Sequence, residues 1–396
     1  MARLDVFDGV FNPGGVVKER LFWHENYSWW GENKAAHSDR LLLLTTIILF
    51  LCGLVMVYSA TYPVMIARQR NSFQALITQL VAGSIGLGLL AFFARFDYRR
   101  FARFDDLLLI SMFILTFLTI LPLGTLVDRR WIRLGFFNLQ PTELMNLALV
   151  IYLAAATVRK QDQLKRLRDG IAPFVAIFLV ITVVVLQQPD LGMVFRFGIL
   201  TGFMLFLAGA KISHLIGMGT IAISLALLVI KIAPYRMARL IAFIDPFSHQ
   251  ATAGFQTIQS LAAIGSGGFF GRGIGNSQAK LLYLPAAYND FIFSITAEEI
   301  GFIGALLLLS LFVIFGWRVL KIAQHAPDRF GYMLAMGLGF TICVQAFLNM
   351  SIALGLFPVT GLTLPFISHG GSSLVVSLAM VGILLNISKQ GGRACA

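Results

Sequence analysis

The chain has 396 residues and a net charge of +12, with 58% hydrophobic and only 13% charged residues. A soluble domain of this length carries roughly a quarter of its residues as charged side chains. Water is therefore excluded as the main solvent, and lipid takes its place. The basic excess fits cytoplasmic loops and anionic headgroups rather than nucleic acid, because no basic–aromatic recognition motif accompanies it.

Residues 1–40 read as a cytoplasmic N-terminal tail, with an interfacial helix around Trp23, Trp29 and Trp30. They are polar and aromatic, so no cleavable signal peptide is expected and the first apolar run directs insertion. Ten apolar runs follow, at 41–61, 74–94, 107–123, 141–158, 171–187, 190–209, 212–233, 291–316, 330–354 and 371–388. Each approaches the length that spans a ~30 Å hydrocarbon core. The expected fold is an all-α polytopic membrane domain over 41–388, about ten spans, with a short cytoplasmic tail at 389–396. Cys52 and Cys343 lie in apolar runs and Cys395 stands next to last, which gives neither a disulfide framework nor metal-ligand spacing. The ending Ala394-Cys395-Ala396 is not a prenylation box.

Lys and Arg set the orientation. Clusters such as Arg95–Arg103, Arg159–Arg168 and Arg318–Arg329 fall on the side of both tails and outnumber those opposite, so both termini are expected inside. Arg129, Arg130 and Arg133 run against that bias, in an outer segment between the third and fourth runs. They are either loop solvation or a holder for an anionic group. The outer segment 234–290 is too long for a mere link. It contains Ile258–Ile264, which reads as a short amphipathic helix, and then Gly265, Gly267, Gly268, Gly271, Gly273 and Gly275. These glycines permit tight turns and close approach to a ligand, but they match no nucleotide fingerprint.

Charges at membrane depth or at its edge are costly, so each is a candidate. Asp290 ends the long loop at the mouth of the eighth run, where a carboxylate either caps the helix or takes a proton from a hydroxyl of a lipid-anchored substrate. Gln140-Pro141-Thr142-Glu143 and Gln188-Pro189-Asp190 share one grammar, an acid near a proline-marked helix start. Capping and convergence on one outward cavity both explain it. Arg196, deep in the sixth run, needs an acid, and Glu298 or Glu299 in the eighth offers one. Gly361–Ser373, broken by Pro365 and by Gly370-Gly371, reads as a bend against a cavity. Amides before Ser372 can meet an anion there, and His369 reads as a hydrogen-bonding wall residue. Asn349 is expected to make an interhelical hydrogen bond.

Taken together, Arg130-Trp131-Ile132, Gln140-Pro141-Thr142-Glu143, Gln188-Pro189-Asp190-Leu191-Gly192, Asp245-Pro246, the stretch from Gly254 to Gly301, and Leu364-Pro365-Phe366-Ile367-Ser368 resemble the SEDS family. These are bacterial peptidoglycan glycosyltransferases of the FtsW and RodA kind, and the resemblance covers about residues 41–388. The long N-terminal tail, Gly275-Asn276-Ser277 before Lys280, and Leu362-Thr363-Leu364-Pro365 are more similar to the division branch, FtsW. The resemblance implies polymerisation of lipid II at the outer face of the cytoplasmic membrane during septal wall synthesis, with release of undecaprenyl diphosphate. It makes Asp290 the catalytic base. It carries Arg130, Trp131, Gln140, Glu143, Gln188, Asp190, Lys280, Ser368 and Ser372 as substrate-binding residues. It implies a class B penicillin-binding protein and other divisome proteins as partners, Mg²⁺ or Mn²⁺ as a divalent cation, and no organic cofactor. Departures from the family pattern cluster near the site. Asn146 stands where a Lys pairing with Glu143 is usual, which leaves Arg196 as a substitute cation. Met193 replaces Thr, Ala286-Ala287-Tyr288-Asn289 replaces Glu-Ala-His-Thr, and His369 replaces Tyr. Intramembrane charges also suit a lipid flippase or transporter, and the departures also suit a non-catalytic scaffold.

Overall fold

Acids and prolines at the membrane edge open the helices that the apolar runs then carry. Asp39, Asp190 and Asp328 each accept a bond from an amide of the first turn, at 3.0 Å from Leu42, 3.2 Å from Met193 and 2.7 Å from Gly331. The carboxylate meets unpaired N–H groups and the positive end of the helix dipole at one place. The computed structural model describes residues 39–394, apart from 68, 70, 122–126, 134–137, 189, 233, 253 and 284–287. The expected tail helix at Trp23, Trp29 and Trp30, and Cys395, lie outside the described residues.

The helices in chain order are α1 (Arg40–Ala67), α2 (Gln74–Phe93), α3 (Asp105–Leu118), α4 (Pro141–Arg159), α5 (Ala172–Gln187) and α6 (Leu191–Leu207). They continue with α7 (Ile212–Ile232), α8 (Pro234–Ile244), α9 (Phe255–Gly267), α10 (Ile292–Gln324), α11 (Arg329–Ala353) and α12 (Gly371–Ala394). Among the described residues, seven are long and apolar enough to cross a membrane: α1, α2, α4, α5 with its preceding π turn, α10, α11 and α12. α6 and the first part of α7 are shorter apolar helices. α3 begins at Asp105 and stops at Leu118, short of the expected 123. α10 runs on past 316 to Gln324, and α12 absorbs most of the expected tail from 389.

Among the described residues the fold is all-α except for a small antiparallel sheet between α3 and α4, ordered β1 (Val127–Asp128), β2 (Trp131–Arg133) and β3 (Asn138–Leu139). Asp128 faces Trp131 and Ile132 faces Leu139 across it. Three consecutive short strands give the arginine-rich segment a fixed backbone, which hydropathy does not reveal.

α4, α11 and α12 are buried over most of their length, while α2, α5 and α10 present long apolar faces outward. Between helices in lipid, close packing replaces hydrophobic drive. At the α2–α12 crossing a side chain on Gly382 would meet the Leu90 carbonyl oxygen at 2.6 Å. Phe203 of α6 stacks on Phe340 of α11, with ring centroids 3.6 Å apart and planes 4° off parallel.

Polar groups collect at two ends. At one, Arg318 of α10 holds Asp39 at 2.6 Å, Tyr98 donates to Asp328 at 2.5 Å, and Gln390 donates to Asp97 at 3.0 Å. At the other lie the sheet, the turn before α6, residues 288–291 and the connection between α11 and α12. The segment 234–290 folds into α8, α9 and a π turn at Ala279–Tyr283, and the expected helix at 258–264 is the middle of α9. Gly267 and Gly271 lie directly against the backbone of α10. α10 is interrupted at Gly301 (φ 71°, ψ −172°), and there Arg272 and Gly273 donate to the carbonyls of Glu298 and Glu299. Phe302 and Ile303 donate back to Gly268 and Phe269. Irregular backbone of this kind survives near lipid only where protein satisfies it.

Candidate active site

The arginine sheet, the start of α4 and the turn before α6 come together at one end. Arg130 Nε donates to the Gln188 carbonyl at 2.5 Å, and its Nη1 stands 3.8 Å from Asp190 Oδ2. Gln188 Nε2 donates to Thr119 Oγ1 at 2.6 Å and to the Thr116 carbonyl at 3.1 Å, so the end of α3 anchors the turn. Trp131 is half-buried on β2.

Behind this cluster Glu143 and Arg196 form a two-pronged ion pair, Nη2 to Oε2 at 2.8 Å and Nη1 to Oε1 at 3.4 Å, with both side chains buried. This is the pairing expected of Arg196 as a substitute cation; its other expected partners, Glu298 and Glu299, are instead bound to the long loop. They lie past the α9–α10 crossing, and the turns at 272–280 offer them amides and cations at closer range. Glu298 accepts from Ser277 Oγ at 2.5 Å and from the Gln278 and Ala279 amides. Glu299 accepts from Lys280 Nζ at 2.8 Å and from Ser59 Oγ at 2.6 Å. Lys280 is therefore not gathered with the other candidates. It is committed to α1 and α10, beside an apolar groove of about 880 Å³ that Tyr58, Tyr62, Pro63, Ile274 and Leu281 help to line.

Asp290 lies half-buried just ahead of α10. Asn349 of α11 donates both to its carbonyl, at 2.8 Å, and to that of Leu362, at 2.6 Å. The expected interhelical bond of Asn349 is thus a bond from a helix to two loops. Ser368 Oγ donates to the Asn289 carbonyl at 2.6 Å and accepts from the Leu364 amide at 2.7 Å. The His369 amide donates to the Tyr288 carbonyl at 3.1 Å. A side chain at Gly361 would meet Asp290 Oδ2 at 3.6 Å, so the connection between α11 and α12 forms the wall facing the carboxylate. Phe366 in that wall adopts φ 66°, a left-handed conformation unfavourable for an aromatic residue. Ser372 accepts from the Gln140 amide at 2.8 Å and donates to the Asn138 carbonyl at 2.8 Å. Both serines thus hold loops in place, and Ser372 joins α12 to the entry of α4 rather than leaving its hydroxyl open to an anion.

Burial pushes the Asp290 carboxyl up to about 6, against the pull of Arg239 and Arg130 and with a further push from Asp190. Asp190 is raised by its own burial, which outweighs Arg130 and the Met193 amide. The two carboxylates and two arginines therefore share one electrostatic neighbourhood. Arg239, on α8, was missed as a site residue. It also donates to the Val359 carbonyl at 3.4 Å and lines a cleft of about 140 Å³ with Phe243, Gln256 and Thr257. The signal for it was a second outer arginine pair, Arg236 and Arg239, against the charge bias. Among the described residues no three His, Cys, Asp or Glu side chains converge. Two carboxylates countered by arginines do not make the oxygen-rich donor set of a resident Mg²⁺ or Mn²⁺.

A half-buried carboxylate whose proton affinity sits near neutrality can accept a proton. Arginines beside it can offset charge on a departing anion. Comparison with known proteins places the chain in a family. The family model described as cell cycle protein, FtsW/RodA/SpoVE, matches residues 39–392. A probable peptidoglycan glycosyltransferase FtsW of Trichlorobacter lovleyi is 39% identical over 358 residues, 90% of this chain and 94% of that protein. Stage V sporulation protein E of Bacillus subtilis is 39% identical over 362 residues, 90% and 98% of the two chains. Among solved structures, a chain of a peptidoglycan synthase complex that coordinates polymerization and crosslinking superposes with a TM-score of 0.74 at 27% identity, covering 89% of this chain and 98% of that one. The rod shape determining protein RodA of Thermus thermophilus gives a TM-score of 0.65 at 27% identity, covering 89% and 97%. A match along almost the whole chain makes this chain a member of the FtsW/RodA/SpoVE family of cell cycle proteins.

Proposed function

We propose that the chain is a peptidoglycan glycosyltransferase that joins lipid II units into glycan strands. The observation that carries this is Asp290: a carboxylate raised to about 6 by burial, between Arg239 and Arg130, at the mouth of a long apolar helix. At neutral pH enough of it is ionised to take a proton, and its basicity exceeds that of an exposed carboxylate.

In the proposed step Asp290 accepts the proton of the acceptor sugar 4-hydroxyl as that oxygen attacks the donor's anomeric carbon. A new C–O bond forms with inversion. The bond to the diphosphate breaks, and the diphosphate leaves with the electron pair on its prenyl carrier. Arg130, held by the Gln188 carbonyl and near Asp190, offsets the developing charge from a fixed position. Glu143 and Arg196 hold α4 to α6 and thereby fix the floor on which Asp190 and the arginine sheet rest.

The seven long apolar helices and the charge bias support a multi-pass protein in the cytoplasmic membrane, with both termini inside and Asp290 at the outer face. The likeness to FtsW proteins supports a place at the division septum, and the likeness to a polymerising and crosslinking complex supports a class B penicillin-binding protein as partner within the divisome. The test is polymerisation of purified lipid II by the full chain, with and without that partner. Wild type should form glycan strands and Asp290→Asn should form none, while the variant still folds and binds the partner. An Asp290→Asn variant that polymerises normally would remove the catalytic assignment.

A further inference from the structure

Three buried polar atoms near Asp290 have no hydrogen-bond partner: Asn289 Oδ1, Thr360 Oγ1 and His369 Nε2. A buried polar group of this kind is costly unless something binds it. They belong to the two segments, 288–290 and 360–369, that meet at this carboxylate. Asn289 precedes Asp290, Thr360 precedes the Gly361 that lies against Asp290 Oδ2, and His369 is bonded through its amide to Tyr288.

Of the three, His369 is the best held. Its amide fixes the backbone to the Tyr288 carbonyl, and its ring lies edge-on to the Tyr288 ring at 6.0 Å. Ser368 next to it is pinned by two backbone groups, so the ring rests on a fixed wall. Burial keeps the imidazole neutral by lowering its proton affinity. In either tautomer a neutral ring presents Nε2 as a donor or an acceptor, and a sugar hydroxyl can answer both. A diphosphate offers acceptors only and is already matched by arginine.

We propose that His369 Nε2 hydrogen-bonds a hydroxyl of the substrate's saccharide, making His369 a sugar-binding residue of the glycosyltransferase site. This rests on the function proposed above and adds to it a division of labour. The arginines hold the diphosphate, and the wall between α11 and α12 recognises the sugar.

The experiment compares full-length wild type, His369→Phe and His369→Gln in nanodiscs, against lipid II and against undecaprenyl diphosphate, which lacks the saccharide. Phe keeps the ring contact with Tyr288 and removes the hydrogen bond, whereas Gln restores a polar tip. His369→Phe should bind lipid II about tenfold more weakly, the scale of one lost buried hydrogen bond. Its affinity for undecaprenyl diphosphate should be unchanged, and His369→Gln should stay within about twofold of wild type for both ligands. In turnover, KM for lipid II should rise while kcat is largely kept. The ratio of the two affinities is the readout, so partial loss of folded protein affects both arms alike. Equal weakening for both ligands, or unchanged lipid II binding, overturns the proposal. A wild type that binds lipid II with this histidine dependence but never polymerises it would sink the enzymatic reading and leave the sugar contact standing.

Discussion

Arg196 on α6 grips Glu143 on α4 through both of its terminal nitrogens, the shorter contact being 2.8 Å, with neither side chain reaching solvent. Where the family resemblance calls for a lysine one turn along α4, Asn146 stands and instead accepts a bond from Thr341 at 3.5 Å. Here the cation that Glu143 binds comes from another helix, so the link is interhelical.

Removing one partner of a buried pair leaves the other charge uncompensated, at a cost of about 3–5 kcal/mol. Arg196→Met should therefore lower the unfolding midpoint in detergent sharply. Arg196→Met combined with Glu143→Gln should recover part of the loss, because the orphaned charge goes with it. Thermal unfolding of the two variants decides this, and equal midpoints would deny the coupling.

Lys280 was expected among the substrate-binding residues, but its ammonium is bound to Glu299 and Ser59. Lys280→Met should destabilise the fold by about 3–5 kcal/mol, again through an orphaned buried acid. KM for lipid II should stay near the wild-type value in the fraction that folds. A variant with an unaltered melting curve and a raised KM would return Lys280 to the substrate.

Gly301 breaks α10 with a backbone conformation closed to other residues, and a side chain there would meet the Gly271 amide nitrogen at 2.3 Å and the Phe269 carbonyl oxygen at 2.6 Å. Gly301→Ala should cost at least the ~1–3 kcal/mol of a strained backbone, and more from displacing the loop. Limited proteolysis of 268–280 in membranes, faster than in wild type, is the expected sign.

The pH profile should report Asp290. A base must be unprotonated, so polymerisation should fall as pH drops through about 6, the value to which burial raises this carboxyl. Stability runs the other way. Between the ordinary carboxylate value and about 6 the folded state binds the proton and the unfolded state does not. Ionising Asp290 thus weakens the fold as pH rises through that window. Asp290→Asn, which cannot ionise, should melt at or above wild type at pH 7.5 and show no such advantage at pH 4. A variant less stable than wild type at pH 7.5 would contradict the burial on which this rests.

Helices were legible in the sequence because lipid demands long apolar runs. The ends were less so. α10 continues through Trp317, Arg318 and Lys321 because Arg318 finds Asp39 and Lys321 lies over the Trp317 ring, contacts that a hydropathy window counts only as polarity. The short strands at 127–139 and α8 are missed for the same reason, since neither contains enough apolar residues in a row. At the site, Glu143, Asp190, Arg130 and Asp290 stood out because charge at a membrane edge is rare. Arg196 was expected opposite Glu143 only through the family resemblance, as a substitute for the lysine absent at Asn146, while the residues alone offered it Glu298 or Glu299. Arg196 lies close in sequence to Asp190 and far from Glu143, yet it is Glu143 that it binds, and only helix packing decides that. Ser368 and Ser372 were identified as polar residues in the right segment, but their hydroxyls serve backbone groups that no linear pattern displays.

One amide on α11 sets where the Asp290 carboxylate stands. Because Asn349 binds the carbonyls of Asp290 and Leu362 together, Asp290 and the wall opposite it share a single peg. Their spacing is gauged by α11 rather than by the helix that Asp290 itself precedes. Inserting one residue into α11 below this point would swing the peg by about 100° and release both rims at once. The same insertion in the inner half of α10, beyond the Gly301 break, would leave the gap untouched.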